Sequence, residues 1–150
     1  MRRSWILVSL LFGLCAFASA QSSEYMDSLL ASKTVTVGQA SYLVLVASDK
    51  LGEEADEAGA FARLEELGWS PKAAAVGDPI RYSSYAYILM RAFGLKGGIM
   101  YSLFPSPRYA YRELVSRQMI QGRSDPQGAV DGAAAVRVLS RVLDAVGGDK

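Results

Sequence analysis

Ile80-Arg81-Tyr82-Ser83-Ser84-Tyr85-Ala86-Tyr87-Ile88-Leu89 decides the fold, because the chain carries its pattern twice more. Each copy opens on a branched apolar residue, passes through a short polar or small stretch, and ends in an apolar run. Val35-Thr36-Val37-Gly38-Gln39-Ala40-Ser41-Tyr42-Leu43-Val44 is one further copy, and Val130-Asp131-Gly132-Ala133-Ala134-Ala135-Val136-Arg137-Val138-Leu139 is the other. Tyr85, Ile88, Leu89, Ala92 and Phe93 fall at the spacing of one helix face. Val136, Leu139, Val142, Leu143 and Val146 make a similar stripe, with Arg137, Arg141 and Asp144 away from it. Taken alone, residues 34–47 read as β-structure, since Thr34 to Val37 and Tyr42 to Val46 are β-branched and apolar around Gly38. The alignment with two helical copies overrides that reading.

The register extends upstream. Ala60-Phe61-Ala62-Arg63-Leu64 lies over Ala110-Tyr111-Arg112-Glu113-Leu114 at an offset of 50, and Ile80 to Val130 repeats the offset of 50 without a gap through Arg91 and Arg141. Each unit is then a helix, a long loop, a β-branched residue and a second helix. The first copy is short, with Ser22 to Ser32 left for its leading helix. The expectation is an all-α protein of about two and a half helix–loop–helix repeats around one core: a partial unit at 22–51 and full units at 55–95 and 104–146.

Local signals fit those bounds. Gly94 and Gly97-Gly98 end one helix, Pro105 and Pro107 precede the next, and Asp78-Pro79 and Asp125-Pro126 mark the long loops. Thr36-Val37-Gly38-Gln39 is a capping box, in which Thr and Gln side chains each satisfy a backbone N–H of the first turn. Asp131 can cap the last helix, although Ala134 cannot complete a box. Arg81 cannot cap, so the helix after it is expected to start late, at Ser83 or Ser84.

Composition narrows function. The 150 residues hold 16 Lys plus Arg against 15 Asp plus Glu, no His and one Cys, with 51% hydrophobic content. A net charge of +1 is not that of a general nucleic-acid binder. Without His, the commonest general base and metal ligand is missing. A single Cys excludes a thiolate zinc site and an internal disulfide. No cofactor or metal is implied.

The first twenty residues read as a signal peptide. Arg2 and Arg3 form a basic start, Trp5 to Phe17 is apolar apart from Ser9, and Ala18-Ser19-Ala20 is a small-x-small cleavage site before Gln21. The rival reading, lipoprotein processing at Cys15, meets the bulky Leu14 just before it; an uncleaved anchor ranks lower. Cleavage after Ala20 leaves residues 21–150 as a single domain with 14 cations, 15 anions and no thiol. Export to the periplasm or cell surface follows, with no integral membrane segment after cleavage.

These residues resemble the S-layer homology domain family. Phe104, Tyr109-Ala110, Leu114, Ile120-Gln121-Gly122, Asp125, Gly128 and Val130 through Leu143 look like one such unit. Ala60, Leu64, Gly68 and Ile80 through Leu95 look like a second, and Val35 to Leu45 like the tail of a third. The resemblance implies a helical scaffold that attaches to an envelope polysaccharide. The family's motif Arg, which helps bind an anionic wall polysaccharide, falls here at Val37, Tyr82 and Gly132, none of them basic.

Residues 81–112 hold six of the eight Tyr, interleaved with Arg81, Arg91, Arg108 and Arg112. Tyr faces with Arg forks can hold sugars, peptides or an acidic partner by stacking and bidentate hydrogen bonds. Tyr85 lies on the apolar stripe and Tyr109 at the family's core aromatic, so Arg81, Tyr82, Arg108 and Arg112 are the candidate ligand-binding residues. Arg91 and Arg141 occupy equivalent positions, as a solvated or unit-bridging pair would. Gly94 to Gly98 lacks the order of a phosphate loop and reads as a connector. Ile99-Met100-Tyr101-Ser102-Leu103-Phe104 is either a core plug or an exposed docking strip, the plug being preferred. The acidic run from Glu53 to Glu66 reads as a solvated helix face rather than a calcium site. Ser70-Pro71-Lys72 lacks the surroundings of a catalytic Ser-Lys pair.

The expected function is a non-catalytic envelope module that binds an envelope polysaccharide or envelope protein. The alternative is an oligomeric interaction subunit, self-associating or completed at its partial first repeat by another chain. A hydrolase ranks behind both, since no nucleophile–base pair is visible.

Overall fold

In a computed structural model of the chain, residues 24–122 and 125–148 are described. The assigned leader, with Cys15 and the Ala20 cleavage site, lies outside the described residues. Seven helices and no extended strand make up the described residues. They are α1 (24–31), α2 (Val37–Ala47), α3 (Glu57–Glu66), α4 (Tyr82–Ala92), α5 (Ile99–Leu103), α6 (Pro107–Ser116) and α7 (Gly132–Gly148). Among the described residues, no helix is long and apolar enough to cross a membrane.

The β-branched stretch 34–47 is helical from Val37 onward. Thr36 Oγ1 accepts from Gln39 N at 3.1 Å, and Thr36 N donates to Gln39 Oε1 at 3.1 Å. The capping box thus supplies a local reason for a helix that β-propensity opposes. Burial of Val37, Ala40, Leu43, Val44 and Leu45 supplies the tertiary one, and such burial routinely outweighs propensity. Ser41 lies in this interior and donates its Oγ proton to Val37 O at 2.6 Å.

The leading helices each bury one leucine completely: Leu29 in α1, Leu64 in α3 and Leu114 in α6. Ala60 and Ala110, one turn before the latter two, are equally inaccessible. Small residues there let neighbouring helices approach. α3 packs on α2, and α6 packs on α4. Where α1 meets the start of α7, Gly132 N donates to Ser32 O at 2.9 Å. Each leading helix thereby leans on a second helix from another pair, and the arrangement closes on itself.

Backbone hydrogen bonds close the same circle at its centre. Val35 N donates to Val130 O at 2.8 Å, Val130 N to Ile80 O at 3.1 Å, and Ile80 N to Val35 O at 2.9 Å. These are the three branched residues that open the aligned stretches, and all three are buried. The triangle satisfies interior N–H groups that would otherwise cost free energy. Two loops extend the scheme to helix starts. Val37 N and Gly38 N donate to Asp78 O and Val76 O, each at 2.8 Å, while Tyr82 N and Ser83 N donate to Gly128 O at 3.1 Å and Pro126 O at 3.0 Å.

Those bonds correct the expected late start of α4. The helix begins at Tyr82 with Arg81 in the capping position and no side-chain cap. Carbonyls from the 126–128 loop do what a capping side chain would do. Asp131 behaves as expected, its Oδ1 accepting from Ala134 N at 2.8 Å.

Two apolar assignments also change. The inward face of α7 is Ala135, Val138, Leu139 and Val142. Val136 and Val146 are only partly buried, and Leu143 is exposed. The inward set lies 50 residues after Tyr85, Ile88, Leu89 and Ala92 of α4, so the repeat register locates the face where hydrophobic periodicity alone rotates it. The 99–104 stretch is not a core plug. It forms the five-residue α5, which buries Tyr101 and leaves Ile99, Met100, Leu103 and Phe104 exposed, because so short a helix presents one residue to the core.

Candidate functional site

A groove of about 930 Å³ runs between the 68–81 loop, the face of α4 carrying Ser84 and Tyr87, and the Pro105–Pro107 turn. Helix ends position its walls. α3 ends before Gly68, whose φ of +69° lets Trp69 N reach back to Leu64 O at 3.0 Å. This turn aims Trp69 at α4. Arg91 of α4 sets its guanidinium carbon 5.8 Å from the centroid of the Trp69 ring and 5.9 Å from that of Tyr87. That distance is within cation–π reach and fixes two aromatic rings beside one charge.

Arg91 and Arg141 turn out to be bridges within their own helix pairs. Arg141 Nη1 donates to Met119 O at 3.0 Å and its Nη2 to Gln121 Oε1 at 3.0 Å. Met119 is the register equivalent of Trp69, and its backbone N likewise returns to Leu114 O at 2.9 Å. One position in each pair thus ties the second helix to the end of the first.

Polar groups of the groove are cationic or neutral with one exception. Lys72 and Arg81 are exposed on its walls, Ser83 and Ser84 line its floor, and Arg81 Nη1 donates to Gln127 Oε1 at 2.9 Å. Asp78 is the one carboxylate among the lining residues, and its Oδ2 already accepts from Ala75 N at 2.7 Å. The arrangement offers aromatic faces and cationic donors around a concave surface, which suits an anionic, ring-bearing ligand. Among the described residues, no group of three or more His, Cys, Asp or Glu could hold a metal ion.

The four residues singled out from the sequence do not converge on one place. Arg81 lines the groove. Tyr82 is half-buried on the other side of the α4 start, where burial, then the Asp131 carboxylate, push its hydroxyl pKa up against an opposing Arg137. Arg112 lines a separate cavity of about 310 Å³ between α5 and α6, with Tyr109 and Glu113. Arg108 is exposed near the start of α6 and lines neither cavity. Adjacent positions at a helix start face different elements, which separates Arg81 from Tyr82, while Arg108 and Arg112, one turn apart on α6, lie on a helix that does not contribute a basic side chain to the groove.

Trp69, Lys72 and Tyr87 are the groove residues that site selection from sequence left out. Of these, Trp69 had a signal in the register, since it follows Gly68 as Met119 follows Gln118 fifty residues later. Val37 and Gly132, where the motif Arg of the S-layer homology pattern would fall, are buried. A Cβ on Gly132 would lie 1.6 Å from Leu29 O, so no side chain fits there. Comparison with known proteins finds no matching family model, no matching characterised protein and no matching solved structure.

Proposed function

We propose that the chain is an exported, non-catalytic binding module of the cell envelope, built from S-layer-homology-like repeats, which holds an anionic envelope glycan in the groove beside α4. The observation that carries this reading is the convergence of Trp69, Tyr87, Lys72 and Arg81 on one concave surface. Sugar rings stack on aromatic faces, and acidic substituents pair with Lys and Arg. The ordered resemblance of residues 34–146 to that family supports the scaffold. The ligand contacts differ from the family's, because Val37 and Gly132 are used for packing.

The alternative of a second chain completing the first repeat draws no support from the fold. α1 already precedes α2, and Val35 closes its hydrogen bonds onto Val130 within one chain.

Sedimentation with purified envelope polysaccharide tests the proposal. The protein should pellet with the glycan at low salt, and Lys72→Ala with Arg81→Ala should lower retention about tenfold, the loss expected from two charge-assisted contacts. Absence of co-sedimentation at low salt, or full retention by the double variant, would sink it.

A further inference from the structure

α5 is an apolar promontory on a basic surface. Ile99 is 79% exposed, Leu103 and Phe104 are each 64% exposed, and Met100 is 50% exposed. The helix is firmly seated despite its length. Tyr101 is its inward anchor, and a Cβ on Gly97 would meet the Tyr101 ring at 2.5 Å. Gly98 N donates to Glu113 Oε2 at 2.9 Å, and Arg117 donates to both Lys96 O and Glu113 Oε1. Four large apolar side chains are thus held outward together, a patch of the kind that marks an interaction surface.

Charge says what covers it. From Pro79 to Arg112 the chain carries Arg81, Arg91, Lys96, Arg108 and Arg112 and not one Asp or Glu. The first carboxylate after that stretch, Glu113, is already engaged by Arg117. A symmetric second copy would bring Lys96, Arg108 and Arg112 against themselves, which like-charge repulsion opposes. A head-to-tail copy would offer the acidic α3, whose exposed residues include no large hydrophobic one to meet the strip. A bilayer interface with anionic headgroups supplies both complements at once: apolar depth for the strip and negative charge for its rim.

We propose that α5 with its basic rim is a peripheral docking site for an anionic lipid bilayer. Ile99, Met100, Leu103 and Phe104 enter the headgroup–acyl boundary, while Lys96, Arg108 and Arg112 face lipid phosphates. The cavity between α5 and α6 opens beside the strip and is lined by Arg112 and by the Glu113 carboxylate, which Arg117 already engages. This site is separate from the groove and does not depend on a glycan being bound there.

Vesicle sedimentation tests it with residues 21–150, so that the basic, apolar leader cannot itself carry the protein to the vesicles. The protein should pellet with vesicles of phosphatidylglycerol in phosphatidylcholine, not with phosphatidylcholine alone, and should be released by raised salt. Leu103→Asp with Phe104→Asp should lower retention about tenfold or more, since each change removes a fully inserted apolar side chain. Phe104→Trp should show a blue-shifted emission, relative to the wild type, on addition of the anionic vesicles. No pelleting with phosphatidylglycerol vesicles, wild-type retention by the Asp double variant, or no shift from Phe104→Trp would overturn the proposal. So would a dimer in light scattering that becomes a monomer with the Asp double variant, which would assign the strip to a second copy.

Discussion

Tyr85 donates its hydroxyl proton to the carbonyl of Ala135 at 2.8 Å, and the two residues occupy the same position in helices that open 50 residues apart. Both are fully buried. The third equivalent position is Ala40, also fully buried. One large ring and two methyl groups therefore share a centre that three large side chains would overfill. Burial drives the Tyr85 hydroxyl pKa far above its ordinary value, which favours the neutral, donating form. Tyr85→Phe should cost about 1 kcal/mol, the net worth of a buried hydrogen bond. Tyr85→Ala should cost about 3–5 kcal/mol through the cavity it leaves. Urea denaturation of the three proteins checks the order; equal losses would show that the hydroxyl, not the ring, holds the centre.

Gly132 is where α1 and α7 meet. Its missing Cβ admits the Leu29 carbonyl to a distance that would be 1.6 Å from any methyl group, and its N–H holds Ser32 O. Gly132→Ala should destabilise the fold by about 3 kcal/mol, at the upper end for overpacking, because backbone rather than a flexible side chain must move. Gly147→Ala, with nothing within 4 Å of its new methyl, should change the melting temperature little. A mild effect at Gly132 would mean that α1 is not locked onto α7.

Thr36 and Arg81 occupy the same capping position with opposite consequences. Thr36→Ala removes the side-chain half of a capping box, the Oγ1 that accepts from Gln39 N, and should cost about 1 kcal/mol. Arg81→Ala should cost less than about 0.5 kcal/mol, because Gly128 O and Pro126 O hold the first N–H groups of α4. Thermal melts of both variants decide the point; a larger loss at Arg81 would make its bond to Gln127 a structural one.

Glu113 gives the seating of α5 a pH dependence. Its carboxylate accepts from Gly98 N, which lowers its pKa below the ordinary 4.5; partial burial opposes this, and the Arg117 hydrogen bond and charge add to the lowering. A carboxyl whose folded value is depressed contributes stability that is fully present above the unfolded value and is lost as pH falls through the folded one. Wild type should therefore melt above Glu113→Gln at pH 6, and the gap should close as pH falls below 4.5. A gap unchanged at pH 3 would place the interaction in packing rather than in charge.

Much of the architecture was legible in the sequence because the chain states it repeatedly. Alignment with the two later helices made α2 a helix against its β-branched composition, and an offset of 50 residues paired α3 with α6; the same offset from α4 marks the inward face of α7, which its own periodicity misplaced. The capping box at Thr36 and the Asp131 cap were readable for a different reason: their partners lie three residues away. The same sequence misjudged the start of α4 and the role of residues 99–104. In both cases the deciding partner is remote: a carbonyl more than 40 residues downstream for Tyr82, and the single inward contact of Tyr101 for α5.

Sequence by itself determined the all-α class, the repeat register and a basic stretch free of carboxylates, since each is a property of order along the chain. Only the tertiary structure decided the closed triangle of Val35, Ile80 and Val130, the groove that adds Trp69 and Tyr87 to Arg81, and the separation of Arg81 from Tyr82, Arg108 and Arg112. Those depend on which helix faces meet, and facing is settled by packing between segments that the chain holds dozens of residues apart.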